Sequence, residues 1–229
     1  QAEATYGHIS DWDVSAVTDM SELFKDKTTF NDDIGNWDVS NITTMQSMFE
    51  FASSFNGDIS SWDVSNVTNM SVMFYGTIFN ADLSNWDVSN VTNMWYLFGY
   101  TNSFNGDISS WDVSNVTNMS VMFFNATSFN QDLSSWDVSN ITQMSEMFGG
   151  TYALSDANKC AIHTSFSSND SWPYDWSEFC PPMSITDSSI PTTFILSEPF
   201  PSPFNPITNL RYDLPEQAQV TLTVYDLIG

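Results

Sequence analysis

Trp62-Asp63-Val64-Ser65-Asn66-Val67-Thr68-Asn69-Met70 is a nine-residue stretch that returns unchanged at 86–94 and 111–119. Close variants begin at Trp12, Trp37 and Trp136, so the six tryptophans stand 25, 25, 24, 25 and 25 residues apart. A fixed period in this range predicts a stacked architecture in which each unit buries its apolar face only against its neighbours. Residues 1–150 therefore read as a six-repeat solenoid with repeated surfaces and no singular pocket.

Within one copy the apolar positions are Phe55, Ile59, Trp62, Val64, Val67, Met70, Met73 and Phe74. From Ile59 to Val64 the spacing is short and strand-like, and from Val67 to Met73 and Phe74 it becomes three and four, which is helical. Thr68 stands where a helical turn wants a capping oxygen. The expected fold is a leucine-rich-repeat-like solenoid with a short β-strand and a short helical turn in each coil. Ten of the eleven methionines fall in two recurring slots and exchange with Leu23 and Leu97, which makes them core filler. The tryptophans read as core wedges for the same reason. Trp95 departs from the pattern, and with Tyr96 and Tyr100 it forms the candidate binding surface, for a glycan or a host surface protein.

Stacking also lines up polar residues. Asp13, Asp38, Asp63, Asp87, Asp112 and Asp137 form one row, and Asp33, Asp58, Asp82, Asp107 and Asp132 a second. Neighbouring strands lie about 4.8 Å apart, close enough for carboxylates to repel. Either each aspartate accepts hydrogen bonds from its own corner, as in an Asx turn, or calcium sits between coils. The second row supplies the weak metal candidates, and calcium is the single cofactor the sequence raises. The Asn31, Asn56, Asn80, Asn105 and Asn130 row reads as an amide ladder bonding the corners. The two histidines and near-identical coils offer no converging catalytic groups, so an enzyme is not expected.

The chain carries 28 acidic residues against 4 basic ones, a net charge of −24, with no Lys or Arg between Lys27 and Lys159. That excludes nucleic acid as a partner, because phosphate must be neutralised by cations. An anionic membrane is disfavoured likewise, and no stretch approaches the roughly 18 apolar residues of a membrane span. The N-terminal Gln1-Ala2-Glu3-Ala4 reads like a chain whose leader has been cleaved. Cys160 and Cys180, both outside the repeats, suit a disulfide and an oxidising compartment, with a pair of free thiols as the alternative.

The repeated Trp-Asp-Val-Ser-Asn-Val-Thr-Asn-Met motif, over residues 7–150, resembles the bacterial surface-protein family of 25-residue repeats related to BspA-type leucine-rich repeats. The resemblance implies a right-handed solenoid, secreted to the outer cell surface. Residues 151–180, through Trp172-Pro-Tyr-Asp-Trp176, resemble the segment that closes such arrays. A Pro/Ser/Thr-rich linker follows over 181–206, and residues 207–229 read as a β-hairpin. Phe200-Pro-Ser-Pro-Phe-Asn-Pro206 and the runs after it resemble the start of a type IX secretion system C-terminal sorting domain, an immunoglobulin-like β module. The resemblance implies export across an outer membrane.

The array begins within a repeat at Gly7, which leaves its first coil open as a template for pairing. A tethered hairpin is marginal alone, so Ile9 and Trp12 at one end and Leu210, Tyr212, Val220, Leu222 and Val224 at the other are candidate assembly residues. The functional expectation is a non-enzymatic structural or adhesive surface protein whose partner is a second copy of itself, assembled head to tail into an extracellular filament. The alternative is a monomeric, calcium-stabilised binding module for a glycan or host protein.

Overall fold

The computed structural model describes residues 2–181, with side-chain burial from residue 4, and the residue pairs 195–196 and 212–213. The chain divides into two compact units, Gln1–Cys180 and Pro181–Gly229.

In the first unit the repeats stack through single parallel bridges: Asp19 to Thr44, Thr44 to Asn69, Asn69 to Asn93, Asn93 to Asn118 and Asn118 to Gln143. Among the described residues, 12–155 hold no helix and no strand beyond these bridges. The strand and helical turn expected in each coil are thus replaced by something else, and the hydrogen bonds show what. The amide N–H groups of Met70, Val72, Phe74 and Gly76 donate to the carbonyls of Asn93, Trp95, Leu97 and Gly99 in the next repeat, at 2.8 to 3.0 Å. Those of Met73, Tyr75 and Thr77 donate instead to Met70, Val72 and Phe74, three residues back in their own repeat, at 3.2 to 3.3 Å. Alternation between neighbour and self satisfies the amides without a continuous strand or an i to i−4 ladder.

The turns from Met70 to Met73 and from Phe74 to Thr77 place a left-handed residue third, as type II turns require. That residue is Val72 at φ 62° in the first and Gly76 at φ 71° in the second. The same two slots recur in every repeat: Glu22, Ser47, Val72, Tyr96, Val121 and Glu146 in one, Asp26, Phe51, Gly76, Tyr100, Asn125 and Gly150 in the other. Only three of these residues are glycine or asparagine, the types that tolerate this conformation most easily. The inter-repeat bonds on both sides therefore hold the backbone where the side chains alone would not.

These turns point Met70, Met73 and Phe74 inward, where all three are fully buried. Phe24, Phe49, Phe74, Phe98, Phe123 and Phe148 stack in a column with ring centres 5.5 to 5.8 Å apart. A second column runs through Phe30, Phe55 and Phe79, and continues at Phe104 and Phe129. Burying one such ring contributes about 2–3 kcal/mol. The 24-residue spacing arises from one residue missing near Ile78, where the Thr77 hydroxyl accepts from the Phe79 N–H in place of a backbone carbonyl.

Polar ladders fasten the remaining sides. From Trp37 onward each repeat tryptophan donates its Nε1–H to a carbonyl of the preceding repeat, as Trp86 does to Ile59 at 3.1 Å. The asparagine row is the expected amide ladder: each Oδ1 accepts the backbone N–H of the next asparagine at 2.8 Å. The threonine row caps no helix. Thr68 donates both its N–H and its Oγ1–H to Thr43 O, and the pattern repeats down the stack. A threonine placed for a cap by spacing alone is thus a rung of a ladder.

The stack ends in a cap built to the same register. Ser155 takes the sixth slot of the asparagine row, donating its N–H to Asn130 Oδ1, while its own hydroxyl caps the helix α1 over Asp156–Phe166. The Phe148 N–H, which elsewhere would bond the next repeat, donates to the Tyr174 hydroxyl at 2.8 Å. Burial pushes that phenol up to about 12. Asn169 donates to the carbonyls of Val138 and Ile141. Ile162, Phe166, Trp172, Tyr174 and Trp176 cover the exposed edge of the core. The disulfide between Cys160 and Cys180 ties α1 to the following turn.

In the second unit Ile195–Leu196 pairs antiparallel with Tyr212–Asp213, in the register Ile195 to Asp213 and Leu196 to Tyr212. Tyr212 therefore pairs with a segment that sequence reading placed in the linker. Leu210, Val220, Leu222 and Val224 lie outside the described residues.

Candidate binding face

The turn face of each repeat is built from the positions one, two, five and six residues after the buried methionine. In repeats two to five these positions carry rings. Phe51 packs edge-on against Tyr75 at 5.1 Å, and Tyr75 against Tyr96 and Tyr100, each at 5.3 Å. Trp95 meets Tyr96 at 4.9 Å, and Phe124 meets Tyr100 at 5.6 Å and Tyr96 at 6.3 Å. The result is one connected cluster of six rings across four repeats. Phe51, Trp95 and Tyr100 are more than two-fifths exposed, which is uncommon for such large apolar groups side by side.

Glycines in the adjoining slots seat the rings. A Cβ on Gly76 would lie 2.8 Å from the Phe51 ring, and one on Gly149 would lie 2.8 Å from the Phe124 ring. A Cβ on Gly99 would meet the rings of Tyr96 and Tyr75 at 2.5 and 3.0 Å. The rings lie against neighbouring backbone instead of projecting, which fixes them without a large loss of freedom on binding.

Trp95 and Tyr96, neighbours in sequence, touch directly, whereas Tyr100 joins them through Tyr75. Phe51, Tyr75 and Phe124 were missed by sequence reading. The signal for them was positional: they share the slots of Tyr100 and Gly99 once the period is applied.

At one end of the cluster lies a shallow groove of about 390 Å³ lined by Phe51, Tyr75, Trp95 and Tyr96 with Glu22, Glu50 and Lys25. Lys25 Nζ stands 2.9 Å from Glu50 Oε2 and 3.5 Å from Glu22 Oε1. The hydrogen bond to Glu50 is the main cause that raises the Lys25 ammonium above the ordinary lysine range. Burial, with the neighbouring phenols and Glu50, raises the Tyr75 hydroxyl too.

The aspartate rows sit elsewhere, at the corners, each closing an Asx turn. Asp58, Asp82, Asp107 and Asp132 accept from the serine N–H two residues on at 2.9 to 3.0 Å, and Asp33 accepts from Gly35. For Asp13, Asp38, Asp87 and Asp112 the serine hydroxyl first, then its N–H, holds the carboxyl below the usual range. For Asp58, Asp82, Asp107 and Asp137 the N–H comes first. Among the described residues no three His, Cys, Asp or Glu side chains converge as a metal site would need. In the first repeat Ile9 is half-buried and its carbonyl accepts from Trp37, while Trp12 is 39% exposed beside Val17 and Tyr6.

A family model described as Mycoplasma protein of unknown function, DUF285, matches residues 1–91 and 76–169, two overlapping stretches that take in every repeat and all of α1. The chain belongs to this family. It is a family of surface-associated repeat proteins, and the match stops before Phe200-Pro-Ser-Pro-Phe-Asn-Pro206. No curated protein and no solved structure matches the chain.

Proposed function

We propose that this chain is a non-enzymatic adhesive protein of the outer cell surface, a leucine-rich-repeat-like solenoid whose turn face docks a partner through its aromatic cluster. One observation carries the reading: six rings from four repeats meet on the outside, where the fold needs none of them. Membership of a surface-associated repeat family and a disulfide, which fits an oxidising compartment, support an extracellular setting. No helix among the described residues is long and apolar enough to cross a membrane. The resemblance of residues 200–206 to a sorting domain supports type IX export as the route.

The cap bears on head-to-tail assembly. Tyr174 occupies the Phe148 N–H, a group that a further repeat would bond, so a homopolymer would have to seat residues 207–229 on the coil of Ile9 and Trp12. The adhesive reading requires no such joint. Nor does it require calcium, because the ladder aspartates already accept hydrogen bonds from their own turns.

The test is partner capture from arrays of glycans and host extracellular proteins by wild type and by Trp95→Ala with Tyr100→Ala. The expected outcome is loss of binding with the melting temperature unchanged. Binding that survives both substitutions overturns the reading, and micrographs showing rods at neutral pH would replace it with the filament.

A further inference from the structure

The groove beside the rings already holds a cation. Lys25 reaches across from the first repeat to the Glu50 carboxylate, which is 15% exposed, and to the more open Glu22. Phe51, Tyr75, Trp95 and Tyr96 line the same groove. Aromatic walls with carboxylates at one end form the chemistry that receives an ammonium, since ring faces and carboxylates both attract positive charge. Lys25 itself remains a third exposed, and an open ion pair of this kind is weak and easily exchanged.

We propose that this groove binds a lysine side chain of a basic segment on a partner protein, and that Lys25 keeps the cation's place until the partner arrives. The inference rests on the adhesive reading above and deepens it by naming what the ring cluster recognises. Charge decides among occupants. With a net charge of −24 and no basic residue from 28 to 158, a second copy or an acidic glycan would be repelled across the whole body. A basic segment is drawn in, and its lysine replaces Lys25 on the Glu50 carboxylate beside the rings. The displaced Lys25 then reaches solvent or an acidic group of the partner.

The exchange is tested with fluorescein-labelled tetralysine amide, by fluorescence anisotropy at about 0.15 M salt, where long-range attraction is largely screened. Lys25→Met leaves Glu50 without its resident partner and should tighten binding about tenfold. Lys159→Met removes the same charge from the cap and should leave the affinity within twofold of wild type. Glu50→Gln and Trp95→Ala should each weaken binding about tenfold. Equal effects of Lys25→Met and Lys159→Met, or none from Lys25→Met, would overturn the exchange. A neutral oligosaccharide that binds wild type, fails on Trp95→Ala and ignores Lys25→Met would overturn the cation while leaving the adhesive face. Partner capture that ignores Trp95→Ala and Tyr100→Ala would remove both.

Discussion

Along the sealed sides of the stack the row Trp37, Trp62, Trp86, Trp111 and Trp136 never changes, whereas on the turn face a single slot runs Lys25, Glu50, Tyr75, Gly99, Phe124 and Gly149. Both rows come from the same repeat and ride on the same kind of hydrogen-bonded frame. The tryptophans are buried and each fills a fixed gap with its Nε1–H spoken for. The turn-face residues meet solvent or one another, so the frame sets their positions but leaves their identities open. Repetition marks what the fold demands, and departure from it marks where a partner can be specified.

The largest expected effect sets neighbouring residues against each other across that divide. Phe74→Ala empties a site enclosed by Phe49, Phe79 and Phe98, and large-to-small changes of this kind cost about 3–5 kcal/mol. Tyr75→Ala, the next residue and only partly buried on the turn face, should cost about 1 kcal/mol or less. Urea unfolding of both variants checks the ratio. Comparable losses would mean that the ring cluster is part of the core, and the functional distinction would fail.

Sequence periodicity exposed the inner rows because they are repeated: Met70, Phe74 and Trp62 are legible wherever the register is known. The asparagine ladder was legible for the same reason. The turn geometry was not. Three- and four-residue spacing from Val67 to Phe74 imitates a helix, but Val72 and Gly76 turn left-handed because alternate N–H groups bond the next repeat instead of their own. That choice depends on a neighbour 23 residues away, which local spacing cannot register. The ring cluster was half legible. Trp95, Tyr96 and Tyr100 stand together in sequence, while Phe51, Tyr75 and Phe124 come from three other repeats and meet them only through stacking.

A middle-sized effect would sharpen the comparison within the turn face itself. Gly76→Val puts a β-branched residue at φ 71° with its Cβ about 2.8 Å from the Phe51 ring, and the strain and clash together should cost roughly 2–4 kcal/mol. Val72 already occupies a left-handed slot at φ 62°. Val72→Asn replaces it with a residue that accepts this conformation and should stabilise the fold by about 0.5–1 kcal/mol. Thermal melts of the pair should move in opposite directions. If Val72→Asn destabilises instead, contacts of the valine side chain govern that slot, and the backbone does not.

The smallest effect concerns the corners. Serine donors hold Asp13, Asp38, Asp58, Asp82, Asp87, Asp107, Asp112 and Asp137 below the ordinary carboxylate value. A carboxyl whose folded value is depressed lends stability that is fully present above its unfolded value, about 3.9, and is lost as pH falls through the folded value. The melting temperature should therefore stay level from neutrality to about pH 5 and decline below about pH 4, gently, since each carboxylate is open to water. Ser40→Ala separates the two donors at one corner. It removes the hydroxyl that is the main cause at Asp38 and keeps the N–H that is the second, so the Asp38 carboxyl should titrate higher by NMR while remaining below its free value. A carboxyl that does not move would mean that the N–H alone sets the corner. The acid decline of the whole stack would then rest on the backbone, the part every repeat shares, and no longer on the serines that happen to follow each aspartate.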